Sequence, residues 1–311
     1  MPEDSRLILG HLAEALESWV DEISDSTVFC SQPALHRSSS SSERLVSELS
    51  PMELLSCNLS NSHCVRHNVG LGRRVSPERH LPPSQRLSMM LERFKSGWTI
   101  ASDEVEHISK VVQKICFALS TKFDFICRAN LYLTPPNGQG FPPHFDAHDV
   151  LVLHLSGEKV WMVDNFPHPV RQRHMSSPKD LELSNEPLEF QLNPGDTLFV
   201  PRGHAHVVKN LSGAPGCQLT FACSRIHVED VIKQVIDIAV LQDDSRSQQV
   251  SSSWLSSEQG DAFIAGVLKE LCNKMLEPDA RRSAIDDIIR THQSQFDEHS
   301  QATVDWLLKR E

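Results

Sequence analysis

The sequence predicts an α+β protein in which helices flank an antiparallel sandwich or jelly roll. Three features point there. Apolar residues recur at helical spacing before Phe123 and again after Arg225. Between those segments, short runs of Val, Leu, Ile and Phe are divided by Pro, Gly and Asn turns. No alternating helices separate the runs, which argues against a parallel α/β sheet. The chain of 311 residues can bury a substantial core without staples. Its expected organisation is a mostly helical N-terminal region packing on the barrel (1–122), a strand-rich core (123–225) and a C-terminal helical region (226–311).

In chain order, Leu7, Ile8, Leu12, Leu16, Trp19 and Val20 form a helical stripe over Ser5–Ile23 that stops at the polar Ser24–Ser26 turn. The serine run Ser38–Ser42 is expected to be a surface loop. Ser50-Pro51-Met52-Glu53 reads as a helix start, with Ser50 as cap and Pro51 at the first helical position. From Cys57 to Arg86 the pattern is broken by Asn, Gly and Pro; His63, Cys64 and His67 cluster there, but a zinc site needs a fourth ligand that the spacing does not supply. Val105, Ile108, Val111, Val112, Ile115, Cys116 and Leu119 mark a helix behind a Ser102-Asp103-Glu104 cap, leading into the first core strand.

Expected strands are Phe125–Leu133, Asp149–Leu155, Lys159–Val163, Leu188–Leu192, Asp196–Val200, His206–Asn210 and Gln218–Cys223. Helices follow at Val228–Val240, Phe263–Met275, Ala284–Ile289 and Val304–Leu308. Ile226–Glu311 carries sixteen acids against nine Lys or Arg. Its apolar stripes suit covering the barrel, dimerisation, or both.

A formal charge of −11 disfavours a dedicated nucleic-acid binder, so no direct DNA binding is expected. One stretch runs against that average: Arg66, Arg73, Arg74, Arg79, Arg86, Arg93 and Lys95 face only Glu78 and Glu92 between Asn61 and Lys95. It reads as a solvated basic face, or as a docking surface for an acidic or RNA-rich partner. The eight cysteines are scattered without a CxxC pair, which suits a reducing compartment. The acidic, amphipathic N-terminus is neither a secretory signal nor a mitochondrial presequence, and no apolar run is long enough to cross a bilayer. The expected location is intracellular, with no membrane partner; nothing in the sequence chooses between nucleus, nucleolus and cytoplasm.

The chemistry concentrates in Gly138–Trp161, GQGFPPHFDAHDVLVLHLSGEKVW. His144 and Asp146 stand two residues apart, so in an extended segment both leave the same face. Together they can supply two of the three protein ligands of a non-haem iron(II) site, with a second His from elsewhere. The best source is Asn193–His206, where Pro194-Gly195-Asp196 and Pro201-Arg202-Gly203 make turns around a strand. His204 and His206 would share one face, and spacing does not choose between them. His148 and His154 share the parity of His144 and are read as supporting or packing residues; Arg202 is read as a solvated turn residue.

The segments ANLYLTPPNGQGFPPHFDAHDVLVLHLSGEKVW and GDTLFVPRGHAH resemble the JmjC-type ribosomal oxygenases, iron(II)- and 2-oxoglutarate-dependent hydroxylases built on a double-stranded β-helix of the cupin class. The likeness is densest from Ala129 to His206. It implies His144, Asp146 and His206 as the iron ligands and sets His204 aside. It places Asn130 and Tyr132 in the active site as cosubstrate-binding residues beside Lys159, with the substrate as the alternative partner of Asn130. The family usually has Tyr between its first two ligands where this chain has Phe145, a side chain expected to point away from the metal. The implied cofactor is Fe(II), with 2-oxoglutarate and O2 as cosubstrates.

The implied activity is hydroxylation of a protein side chain, with a ribosomal or other translation-linked protein as substrate. Histone Nε-methyl-lysine demethylation is the alternative, because a hydroxylated N-methyl group collapses. A metal-binding cupin scaffold without turnover is a reading of another class. The family also carries a helical dimerisation region followed by a winged helix. The helical part, and with it a homodimer, is expected here, with the winged helix absent or degenerate.

Overall fold

A computed structural model describes residues 3–25, 31–67, 73–77, 80–123, 125–170, 177–178, 180–241 and 257–288. The chain divides into two compact units, Met1–Ser224 and Arg225–Glu311.

The first unit is built on two antiparallel sheets. The larger has the order β1-β9-β6-β11-β5-β4-β2-β3: Ala34–His36, Thr197–Val200, Asp149–Ser156, Gly216–Arg225, Phe125–Thr134, Thr99–Ser102, Ser62–Arg66 and Arg73–Val75. The smaller has β10 (His204–Lys209), β7 (Lys159–Pro167) and β8 (Leu188–Leu192) in that order. Bridges Gln139↔Lys209 and His144↔His206 lay the 139–144 stretch along β10 on the side away from β7. Val150, Val152, Leu198 and Val200 of the larger sheet meet Trp161, Val163 and Leu192 of the smaller to form the core between them. Each such fully buried side chain contributes about 1.5–3 kcal/mol.

Helices cover the outer face of the larger sheet. α1 (Glu3–Asp25) buries Leu12, Leu16, Trp19, Val20 and Ile23, and Trp19 Nε1 donates to Thr197 Oγ1 at 3.1 Å. α5 (Lys110–Phe123) buries Val112, Ile115, Cys116 and Leu119. With helices on one side and the smaller sheet on the other, β6 is buried on both faces, which is why it reads as an almost unbroken apolar run.

The seven expected strands are all present, with ends shifted by a few residues. The helical expectation for residues 1–122 is incomplete. Besides α1, α2 (Ser40–Ser47), α3 (Pro51–Cys57), α4 (Pro83–Lys95) and α5, this region contributes β1 to one edge of the larger sheet and β4, β2 and β3 to the other. These strands are three to five residues long, too short to show a period-2 pattern.

The serine run is a second correction. Ser39 caps α2 in a reciprocal capping box with Ser42, and Ser41 and Ser42 are buried. Its neighbour Ser38 lies against Gly195: a Cβ there would stand 2.2 Å from Ser38 Oγ, and Gly195 has φ +87°. The Pro194-Gly195-Asp196 turn therefore needs glycine both for conformation and for space. Asp196, 2% exposed, accepts from Ser38 N, Arg37 Nη1 and Asn193 N, fastening β1 and α2 to that turn.

In the second unit, α6 (Val228–Leu241) and α7 (Glu258–Leu276) are followed by helical residues 278–288. Gln234 Nε2 donates to Asp287 Oδ2 at 3.3 Å. The expected Val304–Leu308 helix, and Ile289 at the end of the one before it, lie outside the described residues.

Candidate active site

The two sheets of the first unit enclose a cavity of about 360 Å³, within the range of small-molecule sites. His144, Asp146 and His206 stand at one side of it, each offering one ligand atom within 4.8 Å of the others. Among the described residues this is the one group of His, Cys, Asp or Glu side chains so arranged. Backbone bonds create it: His144 N donates to His206 O at 3.0 Å, His206 N to His144 O at 2.7 Å, and Gly203 N to Asp146 O at 3.0 Å.

The protonation pattern fits a metal. His144 Nδ1 donates to Pro142 O at 3.0 Å and His206 Nδ1 to His204 O at 3.1 Å. A carbonyl can only accept, so both rings carry the proton on Nδ1 and leave the Nε2 lone pair free, the tautomer a metal-binding imidazole needs. Burial pushes the Asp146 carboxyl up, but the imidazoles of His144, His206 and His148 outweigh it and hold the group below its ordinary value. Burial, then the neighbouring His144, lowers His206 and keeps it neutral. Trp161 stacks on the His206 ring at 5.2 Å, and Phe141 lies 5.7 Å from that of His144, limiting ring rotation.

Lys159 sits deeper. It opens β7 after the Gly157 turn, is 1% exposed, and donates from Nζ to Tyr132 O at 3.0 Å. Burial lowers its pKa from 10.5 to about 7, and no carboxylate among the described residues compensates. A buried ammonium lining a cavity without an anionic partner is expensive and suits an anion supplied by a ligand. Asn130 and Tyr132 line the same cavity from β5. Asn130 Oδ1 accepts from Glu104 N at 3.0 Å and its Nδ2 donates to Tyr132 Oη at 3.4 Å. Burial, then the negative charges of Asp103 and Asp146, push the Tyr132 phenol up, so it stays protonated.

His204 and His206 do not share a face. The register between β10 and β7 shifts at these residues, and the irregularity turns His204 away from the cavity to contact Asp164 O at 2.7 Å through Nδ1. His154 is buried against the Gly157 turn, Nε2 to Gly157 O at 3.0 Å, whereas His148 lines the cavity. Arg202 is half-buried rather than free in solvent, with Nη2 donating to Val170 O at 3.1 Å. Phe145 points away from the cavity and is buried against His168.

The sequence reading missed the opposite wall. β2 alternation sends His63 and Cys64 to opposite faces. His63 thereby joins Arg74 and Asp103 at the cavity: Arg74 donates to His63 Nδ1 at 2.9 Å and pairs with Asp103. Burial, then the Arg74 charge, lowers His63 to about 4. The signal available was the alternation His63/Val65 opposite Thr99/Ala101, too brief to identify the strands.

Two facing antiparallel sheets with two imidazoles and one carboxylate beside the cavity between them define the cupin-like class, and such a set of side chains can hold a metal ion. Residues 103–231 match the JmjC domain family. Human ribosomal oxygenase 1 is 32% identical over 151 residues, covering 47% of this chain and 24% of that protein. The bifunctional lysine-specific demethylase and histidyl-hydroxylase NO66 of Drosophila grimshawi is 37% identical over 151 residues, 47% of this chain and 20% of that one. The chain thus spans about a quarter of the length of the curated relatives it matches. Among solved structures, the fold resembles YcfD, a ribosomal oxygenase from Escherichia coli in complex with cobalt and succinic acid. That likeness has a TM-score of 0.54 at 16% identity and covers 83% of this chain and 67% of that one.

Proposed function

We propose that this protein is an Fe(II)- and 2-oxoglutarate-dependent dioxygenase that hydroxylates a side chain of a protein substrate. The observation that carries this reading is one cavity holding both a metal-suited His144–Asp146–His206 cluster and a buried ammonium, Lys159, that has no carboxylate partner among the described residues. His144, Asp146 and His206 would hold the iron, and Lys159 would bind the distal carboxylate of the cosubstrate. A metal held there would supply the oxidising chemistry that couples O2-dependent decarboxylation of 2-oxoglutarate to hydroxylation of a C–H bond, with succinate and CO2 as co-products.

The protein's own work is positional. The Nδ1–H bonds of His144 and His206 to backbone carbonyls keep their Nε2 lone pairs directed inward. Trp161 packs on the ring of His206 and Phe141 on that of His144, holding both imidazoles in orientation. Asn130 and Tyr132, joined to each other on the cavity wall, would bind the cosubstrate together with Lys159.

The relatives' names include ribosomal oxygenase and a combined demethylase and histidyl-hydroxylase, which supports a ribosomal or translation-linked polypeptide as substrate, with a histone as the alternative. In the second unit, Val228, Phe263, Leu268 and Leu276 are exposed, an apolar surface that supports dimerisation through the C-terminal helices. No helix among the described residues is long and apolar enough to cross a membrane. The reading is tested by incubating the protein with Fe(II), labelled 2-oxoglutarate and cell extract. Succinate should form and a +16 Da product should appear among ribosomal proteins; no succinate under any substrate source sinks the enzyme reading.

A further inference from the structure

The His144–Asp146–His206 cluster is braced from behind by His168 and Ser177, two residues that lie between β7 and β8 in the chain. His168 N donates to Gly203 O at 2.8 Å, and Gly203 N donates to Asp146 O at 3.0 Å. One chain of hydrogen bonds thus joins His168, the turn that delivers β10, and Asp146. The segments touch closely: a Cβ on Gly203 would stand 2.6 Å from His168 O.

Ser177 meets both main-chain polar groups of Phe145. Its Oγ accepts from Phe145 N at 2.7 Å and donates to Phe145 O at 2.9 Å. The Phe145 ring, 4% exposed, stacks on the His168 imidazole at 5.2 Å and 15°. Phe145 is the single residue between His144 and Asp146, so its φ and ψ set where those two side chains point relative to each other. A side chain that holds both its N–H and its C=O fixes those angles. Neither Ser177 nor His168 lines the cavity, so any effect they have on the cluster acts through the main chain.

We propose that Ser177, assisted by His168, is a positioning residue for the metal site: it locks the Phe145 peptide groups so that His144 and Asp146 present their donor atoms to the same ion as His206. The inference rests on the reading of that cluster as a metal site. Partners that orient the ligands of a metal are typically worth about 10- to 100-fold in its affinity.

The test is titration of the full-length protein with Co(II), following its visible ligand-field absorption and competition with a chelator. Wild type, Ser177→Ala, Ser177→Thr and His168→Leu are compared, with the melting temperature of each metal-free protein measured alongside. Ser177→Ala should bind Co(II) about 10- to 100-fold more weakly with an altered absorption envelope, while its melting temperature stays within a few degrees. Ser177→Thr, which keeps the hydroxyl, should restore affinity and spectrum, and His168→Leu should weaken binding by less than Ser177→Ala. Ser177→Ala with wild-type affinity and spectrum overturns the proposal. So does weaker binding with an unchanged spectrum and a large drop in melting temperature, which would mark a merely structural role. A wild type that binds no Co(II) instead overturns the metal-site reading itself.

Discussion

Replacing Lys159 by Met should make the protein more stable and its cosubstrate site nearly useless. Lowering Lys159 from 10.5 to about 7 means that the fold penalises its ammonium by on the order of 5 kcal/mol. The sign follows from linkage. The folded pKa is depressed, so the penalty is complete below about 7 and fades as pH rises toward 10.5, where folded and unfolded chains are both neutral. Met has nearly the same length and fills the same space without a charge. It forfeits the Nζ bond to Tyr132 O, which returns about 1 kcal/mol. Replacing buried charges with well-packed apolar groups gains up to about 4 kcal/mol in comparable cases, and each kcal/mol is worth about 2–4 °C in a domain of this size.

Binding moves the other way. A dicarboxylate whose distal end loses a desolvated ammonium forfeits about 3–5 kcal/mol, more than about 100-fold in Kd. Differential scanning calorimetry of the metal-free protein at pH 6.5, and calorimetric titration of 2-oxoglutarate into the metal-loaded protein, measure the two effects. A Lys159→Met variant that melts lower and binds 2-oxoglutarate within threefold of wild type would refute the assignment of an uncompensated, cosubstrate-facing ammonium.

Three further outcomes follow from the same geometry. The affinity for 2-oxoglutarate should fall as pH rises through about 7, by up to about tenfold per unit once Lys159 deprotonates. The nearby Cys217 thiol, pushed up to about 12, and His154, lowered to about 4, stay neutral across that window, and a flat profile from pH 6 to 9 in metal-loaded protein would count against the prediction. His204→Ala should cost about 2–4 kcal/mol in urea denaturation, because it empties a fully buried position and leaves Asp164 O without its partner; its Co(II) affinity should stay within severalfold of wild type. Gly203→Ala should destabilise by about 1–3 kcal/mol or more, since φ +86° and the close His168 carbonyl both oppose a Cβ; an unchanged melting temperature would show that the turn relaxes freely.

How much was legible in the sequence depends on the range of the interaction that decided each feature. The His144–Asp146 pair was readable because a two-residue spacing in an extended segment fixes a common face whatever surrounds it. Strands such as β5, β6 and β8 were readable because turn residues bracket them. By contrast, His204 and His206 differ by a register shift between β10 and β7, a consequence of pairing that no local pattern encodes. The serine run hid a helix because Ser39 and Ser42 cap it reciprocally while tertiary contacts bury the polar run. The Arg74–Asp103–His63 wall was invisible because it comes from β2, β3 and the end of β4, short strands stabilised by neighbours distant in sequence. Ser177 carries no signal at all, since its partner lies 32 positions away.

The central claim is that His144, Asp146 and His206 hold iron in the cavity where Lys159 holds 2-oxoglutarate. The most direct measurement is the visible metal-to-ligand charge-transfer absorption that forms, without oxygen, only when 2-oxoglutarate chelates protein-bound Fe(II). Wild type should develop this band with one equivalent of iron. His206→Ala should develop none, and Lys159→Met should develop it only at more than about 100-fold higher 2-oxoglutarate. A band of undiminished intensity in His206→Ala, at the same iron and 2-oxoglutarate concentrations, would contradict the account.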